Sequence, residues 1–360
     1  MQHAAITGWG MSVPDRVLSN ADLERMVDTN DEWIVSRTGI RERRIVGPED
    51  SATSLGAAAA RQALDRAGIT AEELDLIVVA TCTPDQFLVS QACLIQAEIG
   101  GNAGAFDLGA ACSGFVYAFA AGSQFVQTGA CRRVLVVGVD TLTRFVDYTD
   151  RTTCILFGDG AGAVVIEAST EERGLLSTVL GADGAGYRHL YIPGWGAFVP
   201  ESAGIFPEFR PYLQMNGNEV FRFAVRVMGD AAAEAVGKAG LTFADVDMLI
   251  PHQANQRIIE AAARRLDLPM DKVWVNLDRL GNTSAASIPI ALCEAEAAGA
   301  LEEGDNVVFV AFGGGLAWAA GAVRWGVAGV ERLAARAHPG AHVNGTVTTS
   351  DLPVGSLATR

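Results

Sequence analysis

The sequence predicts an α/β fold in two duplicated halves, each built on a mixed sheet. Three observations predict it. First, "ALDRAGITAEELDLIVVATCTP" (63–84) and "AVGKAGLTFADVDMLIPHQAN" (235–255) share one plan at an offset of 172: a helix ending at Gly, a hydrophobic residue, Thr, an acidic turn and an apolar strand. Second, "CRRVLVVGVDT" (131–141) and "DNVVFVAFGGG" (305–315) recur at nearly the same offset, each after a helix that ends in "TGA" or "AGA". Third, the runs "LIVVA", "VLVVGV" and "VVFVAF" are continuously apolar, which suits strands buried on both faces. Helices alternate with these strands, which argues for mixed, partly parallel sheets. The halves fall at about 1–174 and 175–326.

The totals bound the function. The chain has 360 residues, 49% of them hydrophobic, enough for a large core. Its formal net charge is −15, which disfavours nucleic acid as a partner, because phosphate contacts need Lys and Arg. No apolar run approaches the ~20 residues of a membrane span. "MQHAAITGWGMSVP" lacks the basic start and long apolar stretch of a signal peptide. These features point to a soluble cytoplasmic protein. Its six cysteines form neither a C-x-x-C pair nor a zinc-like cluster with histidine, and a cytoplasm would keep them reduced.

Within the first half, "DLGAACSGFVYAFAAG" (107–122) places Cys112 at the start of a run with helical apolar spacing: Phe115, Val116, Phe119, Ala120 and Val126. Ser113 and Gly114 leave the first turn open. A helix N-terminus stabilises a thiolate through its dipole and free N–H groups, so Cys112 is expected to have a lowered pKa and to react. A packing cysteine in a tight strand-to-helix turn is the other reading. The corresponding segment of the second half, "LGNTSAAS", carries Asn282, which could simply cap a helix. His252 ends the strand "DMLIP"; of the five histidines, only this one ends an apolar strand. Alone it reads as a structural histidine. A pseudo-twofold between the halves would bring these strand and helix ends together.

Two glycine-rich segments need separate readings. "FGDGAGAVV" (157–165) precedes a strand, so it fails the dinucleotide fingerprint, which requires a helix there. "AFGGGLAW" (311–318) follows a strand and offers backbone N–H groups to an oxyanion, or is a tight turn between strands.

In order along the chain, "DTNDEWIVSRTGIRERRI", "ACSGF", "FGDGAG", "NGNEVF", "PHQAN", "GNTSAAS" and "AFGGG" resemble the motifs of the β-ketoacyl-acyl carrier protein synthase III family, the initiating condensing enzymes of the thiolase superfamily. The resemblance covers roughly residues 1–325. Elongating synthases look like Cys-His-His and thiolases like Cys-His-Cys; Asn282 in third place favours the initiating class.

The resemblance implies a thiolase-like, five-layered αβαβα fold and a homodimer. It implies a decarboxylative Claisen condensation of an acyl-CoA primer with malonyl-acyl carrier protein, giving a 3-oxoacyl-carrier protein and initiating fatty acid synthesis. Cys112 would carry the acyl group, and His252 and Asn282 would hydrogen-bond the enolate oxygen. The N–H groups of Cys112 and Gly314 would form an oxyanion hole, and Phe312 would shield the thiol. Trp33 and Arg151 would stack on the CoA adenine, with Thr29 and Arg37 on the nucleotide. Gly217, Asn218, Ala254 and Asn255 would line the pantetheine tunnel. Arg222, Arg257, Arg264 and Arg265 would dock the carrier protein as a local basic patch on an acidic chain. Arg226, four residues after Arg222, shares its helix face. No cofactor is implied beyond the CoA thioester and the carrier's phosphopantetheine, both substrates, and no metal.

The sequence departs from the family at "CTPDQFLVSQACLIQ", where Leu88 and Val89 stand in positions that help set the acyl pocket across the dimer. Primer length is therefore open, and a starter-unit ketosynthase for a polyketide or specialised lipid is the alternative. A non-condensing acyl-CoA-binding subunit is a third reading, opposed by retention of Cys112, His252 and Asn282. Residues 191–212 form a long aromatic, Pro-rich loop, a flap over the tunnel or surface padding. Residues 327–360 are expected to be a mobile tail.

Overall fold

The computed structural model describes residues 2–193 and 212–330. Residues 194–211, most of the aromatic loop, and 331–360, most of the expected tail, lie outside the described residues.

Nine strands form the main sheet: β1 (His3–Ser12), β4 (Leu76–Ala80), β5 (Gly104–Leu108), β6 (Arg133–Thr141), β7 (Asp159–Ser169), β8 (Gly174–Ala182), β11 (Met248–Pro251), β12 (Asn306–Gly313) and β13 (Ala317–Arg324). Two short ribbons, β2 (Val17–Ser19) with β3 (Glu42–Arg44) and β9 (Leu190–Tyr191) with β10 (Gln214–Met215), stand apart. The strand order is β5-β4-β6-β7-β1-β8-β13-β12-β11. The β1–β8 junction is a single parallel pair, Ala4 with Gly174. On one side β4 runs parallel to β5 and β6, and β7 runs antiparallel to β6 and β1. On the other side β11 runs parallel to β12, and β13 runs antiparallel to β12 and β8. The counterpart of β5 shrinks to one parallel bridge, Leu249 with Val273. The repeat in the sequence is thus a repeat in topology, joined edge to edge.

Helices cover both faces. α5 (Gly114–Gln127) and α9 (Ser287–Ala297) fill the centre, where Phe115, Phe119, Ile288 and Leu292 pack with Val78, Val136, Val307 and Phe309. α3 (Ala52–Ala67) and α4 (Gln91–Ile99) cover Ile77, Val79, Leu135 and Val137 on one outer face. α6 (Gly217–Lys238) and α7 (Gln256–Arg265) cover Leu249, Val308 and Val310 on the other. The layers therefore run αβαβα. Successive residues of one strand serve different cores, which is why the runs contain no polar face. Phe115, Phe119 and Phe309 meet at centroid distances of 5.9–6.4 Å and are fully buried. Each such ring contributes about 1.5–3 kcal/mol of burial.

The short helices α1 (Asn20–Glu24), α2 (Asp31–Thr38) and α8 (Leu277–Leu280) flank the site. Asn30 caps α2 by accepting from the Trp33 N–H at 2.8 Å, and Gly39, at φ 85°, ends it in the left-handed conformation. Buried Arg43 ties β3 to the wall of the site, donating to Leu18 O, Asn20 Oδ1 and Ile155 O at 3.1, 2.9 and 2.6 Å. Residues 327–330, which the sequence assigns to the mobile tail, are held in place. Val330 bridges to Ser169, and Ser169 Oγ donates to Ala328 O at 2.9 Å.

Candidate active site

Cys112 sits in a 3₁₀ turn (Ala111–Ser113) that feeds directly into α5. Ala111 before it holds φ 46°, a left-handed conformation that turns the chain sharply out of β5. Ser284 holds φ 53° at the corresponding turn before α9. Gly138 and Gly313 allow the close approaches that this requires. A Cβ on Gly138 would lie 2.4 Å from Ala285 O, and one on Gly313 would lie 2.6 Å from the Cys112 nitrogen.

Asp140, fully buried at the end of β6, gathers the turns around the thiol. Its Oδ1 accepts from the N–H of Cys82 at 2.8 Å, the N–H of Thr83 at 3.1 Å and the hydroxyl of Thr83 at 2.9 Å. The Thr81 hydroxyl at 3.1 Å and the Cys82 thiol at 3.3 Å also donate to it. Its Oδ2 accepts from Ala285 N–H at 3.3 Å, so one carboxylate joins the loop after β4 to the loop that carries Asn282.

The Ser284 hydroxyl donates to Cys112 Sγ at 3.3 Å. Its N–H donates to Asn282 Oδ1 at 2.9 Å. That contact fixes the amide orientation, since only the oxygen can accept, and leaves Nδ2 as the donor. The Asn282 backbone is held from both sides by Leu156 O at 2.8 Å and Gly158 N–H at 2.9 Å, which gives "FGDGAG" a structural task here. His252 follows β11. Its N–H donates to Val310 O at 2.8 Å, and its Nδ1 lies 2.7 Å from Ser287 Oγ. The Phe312 ring stands edge-on to the imidazole at 5.6 Å.

Cys112, His252, Asn282, Phe312 and Gly313 line one cavity of about 850 Å³. Burial dominates its electrostatics. It pushes the Cys112 thiol up to about 12; the Ser284 hydrogen bond pulls down and nearby Asp140 adds to the rise. The sequence expectation of a lowered thiol pKa is therefore corrected. A helix end contributes at most about 2 kcal/mol, under two pKa units at about 1.4 kcal/mol each, which is too little to offset this burial. Burial also lowers His252 to about 3, so its ring is neutral at ordinary pH.

The cavity opens between α2, α6 and α7. Trp33, Arg37, Gly217, Asn218, Ala254, Asn255 and Arg257 line it toward the mouth. Arg37 and Arg151 both lie over the Trp33 ring, at 4.9 and 5.2 Å from its centroid. Asn255 has both side-chain ends committed: Oδ1 caps α7 through Arg257 N–H at 2.9 Å, and Nδ2 donates to Arg37 O at 2.8 Å. Its backbone oxygen is committed too, accepting from the Ile258 and Ile259 N–H groups at 3.1 Å, so the second Nδ2 proton is the side-chain donor left for a ligand. Thr29 Oγ1 is buried with no hydrogen-bond partner among the described residues. Arg188, missed by sequence reasoning, also lines the cavity. Its Gly-rich surroundings gave no periodic signal.

Gly314 adjoins cavity-lining Gly313, while Leu88, Val89, Arg222, Arg264 and Arg265 are not among the lining residues. Gly314 lies next to Leu190 O and Ala111 Cβ, 2.9 and 3.7 Å from where its own Cβ would be. Leu88 is 101% exposed and Val89 44%, both on the surface of the chain. Arg222 pairs with Glu219, Arg264 with Glu260 at 4.0 Å and Arg265 with Asp230 at 3.0 Å. Arg257 instead covers the Phe221 ring at 4.9 Å. Ser284, Ser287 and Asp140 were not singled out from the sequence, although the first two lie inside "GNTSAAS". A lone Asp in the apolar strand "VLVVGVD" is the signal that could have found the third.

Two family models, 3-oxoacyl-[acyl-carrier-protein] synthase III and its C-terminal part, match residues 106–184 and 236–325. A β-ketoacyl-[acyl-carrier-protein] synthase III of Roseiflexus sp. (strain RS-1) is 53% identical over 324 residues, covering 90% of this chain and 98% of the relative. The chain belongs to the β-ketoacyl-[acyl-carrier-protein] synthase III family. It is a condensing acyltransferase with the thiolase fold. The crystal structure of the Thermus thermophilus β-ketoacyl-[acyl-carrier-protein] synthase III matches with a TM-score of 0.85 at 47% identity, covering 91% of this chain and all of that one. The priming β-ketosynthase of the R1128 polyketide pathway matches with a TM-score of 0.85 at 38% identity, covering 90% of this chain and 96% of that one. The two matched segments carry Cys112, His252 and Asn282, which line the one cavity. No helix among the described residues is long and apolar enough to cross a membrane.

Proposed function

We propose that the protein condenses an acyl-CoA primer with malonyl-acyl carrier protein to a 3-oxoacyl-carrier protein, the first elongation of fatty acid synthesis, in the cytoplasm. The observation that carries this reading is the placement of Cys112, His252 and Asn282 on one cavity. Cys112 attacks the primer thioester, forming an acyl-cysteine and releasing CoA thiol. Malonyl-carrier protein then loses carbon dioxide, and the electron pair passes to the thioester oxygen as an enolate. Asn282 Nδ2 and the His252 imidazole donate to that oxygen. The enolate carbon attacks the acyl-cysteine carbonyl, held by the N–H groups of Cys112 and Gly314. The sulfur leaves and takes up one proton. No metal or redox group enters any of these steps.

Arg37, Arg188 and Arg257 at the mouth supply positive charge for the CoA phosphates. A purine between Trp33 and Arg151 needs two contacts of about 3.5 Å each, so Arg151 withdraws by about 2 Å as CoA enters. Thr29 contacts the nucleotide, and Gly217, Asn218, Ala254 and Asn255 line the pantetheine path. Phe312 shields the thiol from water. Arg222, Arg264 and Arg265 exchange their acidic partners for those of the carrier protein, with Arg257 beside them. Exposed ion pairs contribute about 0–1 kcal/mol, so that exchange costs little. Leu88 and Val89, apolar and exposed on the protomer, are covered by a second copy in a homodimer and border the partner's acyl pocket.

A starter-unit ketosynthase for a specialised lipid is the second reading, favoured by the departure at Leu88 and Val89 and by the 38% likeness to a priming ketosynthase. Intact-mass analysis after incubation with a mixture of acyl-CoAs tests both. Acetyl or a short branched acyl on Cys112, transferred on adding malonyl-carrier protein, is the expected result. A preferred long or unusual primer favours the second reading, and no acyl adduct on Cys112 overturns both.

A further inference from the structure

The Ser287 hydroxyl and the His252 ring are both 1% exposed, and they meet at 2.7 Å through Nδ1. Ser287 is the first residue of α9, one past the Ala286 cap position, and no side chain caps this helix. Among the described residues, the imidazole is the only hydrogen-bond partner of this hydroxyl. A neutral imidazole carries one proton and offers one acceptor nitrogen. If Nδ1 held the proton, it would donate to Ser287 Oγ and strand the serine's own proton in a buried site. If Nδ1 is bare, the serine donates and both groups are satisfied. A stranded buried donor costs about 1–3 kcal/mol, enough to select between the two tautomers.

We infer that Ser287 is a positioning residue that sets the tautomer of His252, holding the proton on Nε2 so that the ring presents a donor to the cavity. The inference rests on the enolate-stabilising part proposed for His252. With the proton on Nδ1, the cavity would instead face a lone pair, which repels an enolate oxygen. The serine acts through the ring and need not touch substrate. Its effect should therefore fall on decarboxylation and spare the attack by Cys112.

The test is ¹⁵N NMR of histidine-labelled protein, with His252 assigned from a His252→Ala sample, run beside single-turnover assays. In the wild type the proton is expected on Nε2. Ser287→Ala should release the ring into a tautomer mixture, slow loss of carbon dioxide from malonyl-carrier protein at least tenfold, and leave acyl loading of Cys112 within twofold. Ser287→Thr, which keeps the hydroxyl, should restore the Nε2–H signature. A wild-type proton on Nδ1, or a Ser287→Ala protein with wild-type tautomer and decarboxylation, would overturn the inference. The spectrum is read without turnover, so it decides the Ser287 assignment separately. A His252→Ala enzyme that decarboxylates at full rate would remove the part given to the imidazole instead.

Discussion

The Ser284 hydroxyl donates to the Cys112 sulfur across 3.3 Å. The same serine holds the Asn282 carboxamide through its backbone N–H. One residue therefore touches the thiol and aims the amide. Ser284→Ala removes the first contact and keeps the second. Alkylation of Cys112 by iodoacetamide and acyl loading should both slow by about three- to tenfold, the equivalent of a hydrogen bond of about 0.5–1.5 kcal/mol. Unchanged alkylation would detach the hydroxyl from thiol reactivity.

The thiol itself should titrate late. With Cys112 pushed up to about 12 by burial, its alkylation rate should climb about tenfold per pH unit and show no plateau below pH 9. A plateau near pH 7 in the ligand-free enzyme would mean that the end of α5 outweighs desolvation.

His252 should leave a mark on stability. Its folded pKa, near 3, lies below the usual 6.5, so the unfolded chain takes up a proton that the folded chain refuses. The contribution is fully present above pH 6.5 and is lost as pH falls from there toward 3. Buried Asp159, raised to about 6 by burial, works in the opposite sense between its usual 3.8 and 6. The informative quantity is therefore the difference between wild type and His252→Ala. Urea midpoints from pH 7 to 5 should fall more for the wild type, and equal slopes would contradict a neutral buried ring.

Asp140→Ala leaves the Cys82 N–H and the Thr83 hydroxyl without their acceptor, while the Thr83 N–H keeps Thr81 Oγ1. Each stranded donor costs about 1–3 kcal/mol, so a loss of at least about 2 kcal/mol is expected in denaturant unfolding. A loss under 1 kcal/mol would show that water or a rearranged loop satisfies them.

Gly313→Ala would set a methyl 2.6 Å from the Cys112 nitrogen. Acyl loading should drop more than tenfold as the turn is pushed aside, because misplacement by about 1 Å costs about 100-fold in well-oriented reactions. Binding of CoA, read by quenching of Trp33 at the mouth, should change little. Wild-type loading would show that the turn has room to move.

Leu88→Asp puts a charge on the apolar surface proposed to pair two copies. Analytical ultracentrifugation is expected to show a dimer for the wild type and a shift toward monomer for the variant. A monomeric wild type would remove the homodimer from the proposed function.

The sequence by itself determined the buried strands and the duplicated plan; the five-layer order came with the family resemblance. Continuous apolar runs such as "LIVVA" can be satisfied only between two helical layers, and glycines such as Gly39 mark ends that need positive φ. It also singled out Cys112, His252 and Asn282 by residue type at strand and helix ends, though their parts in the reaction remain the proposal above. Tertiary structure alone decided what surrounds them. The neighbours that set their chemistry come from far along the chain: Ser284 lies 172 residues from Cys112, Ser287 lies 35 from His252, and Asp140 lies 58 from Cys82. The sign of the Cys112 shift was misread for the same reason. A helix N-terminus is visible in a local pattern, but the loss of water around a thiol is a sum over every segment folded against it. That sum exists only once both halves have closed.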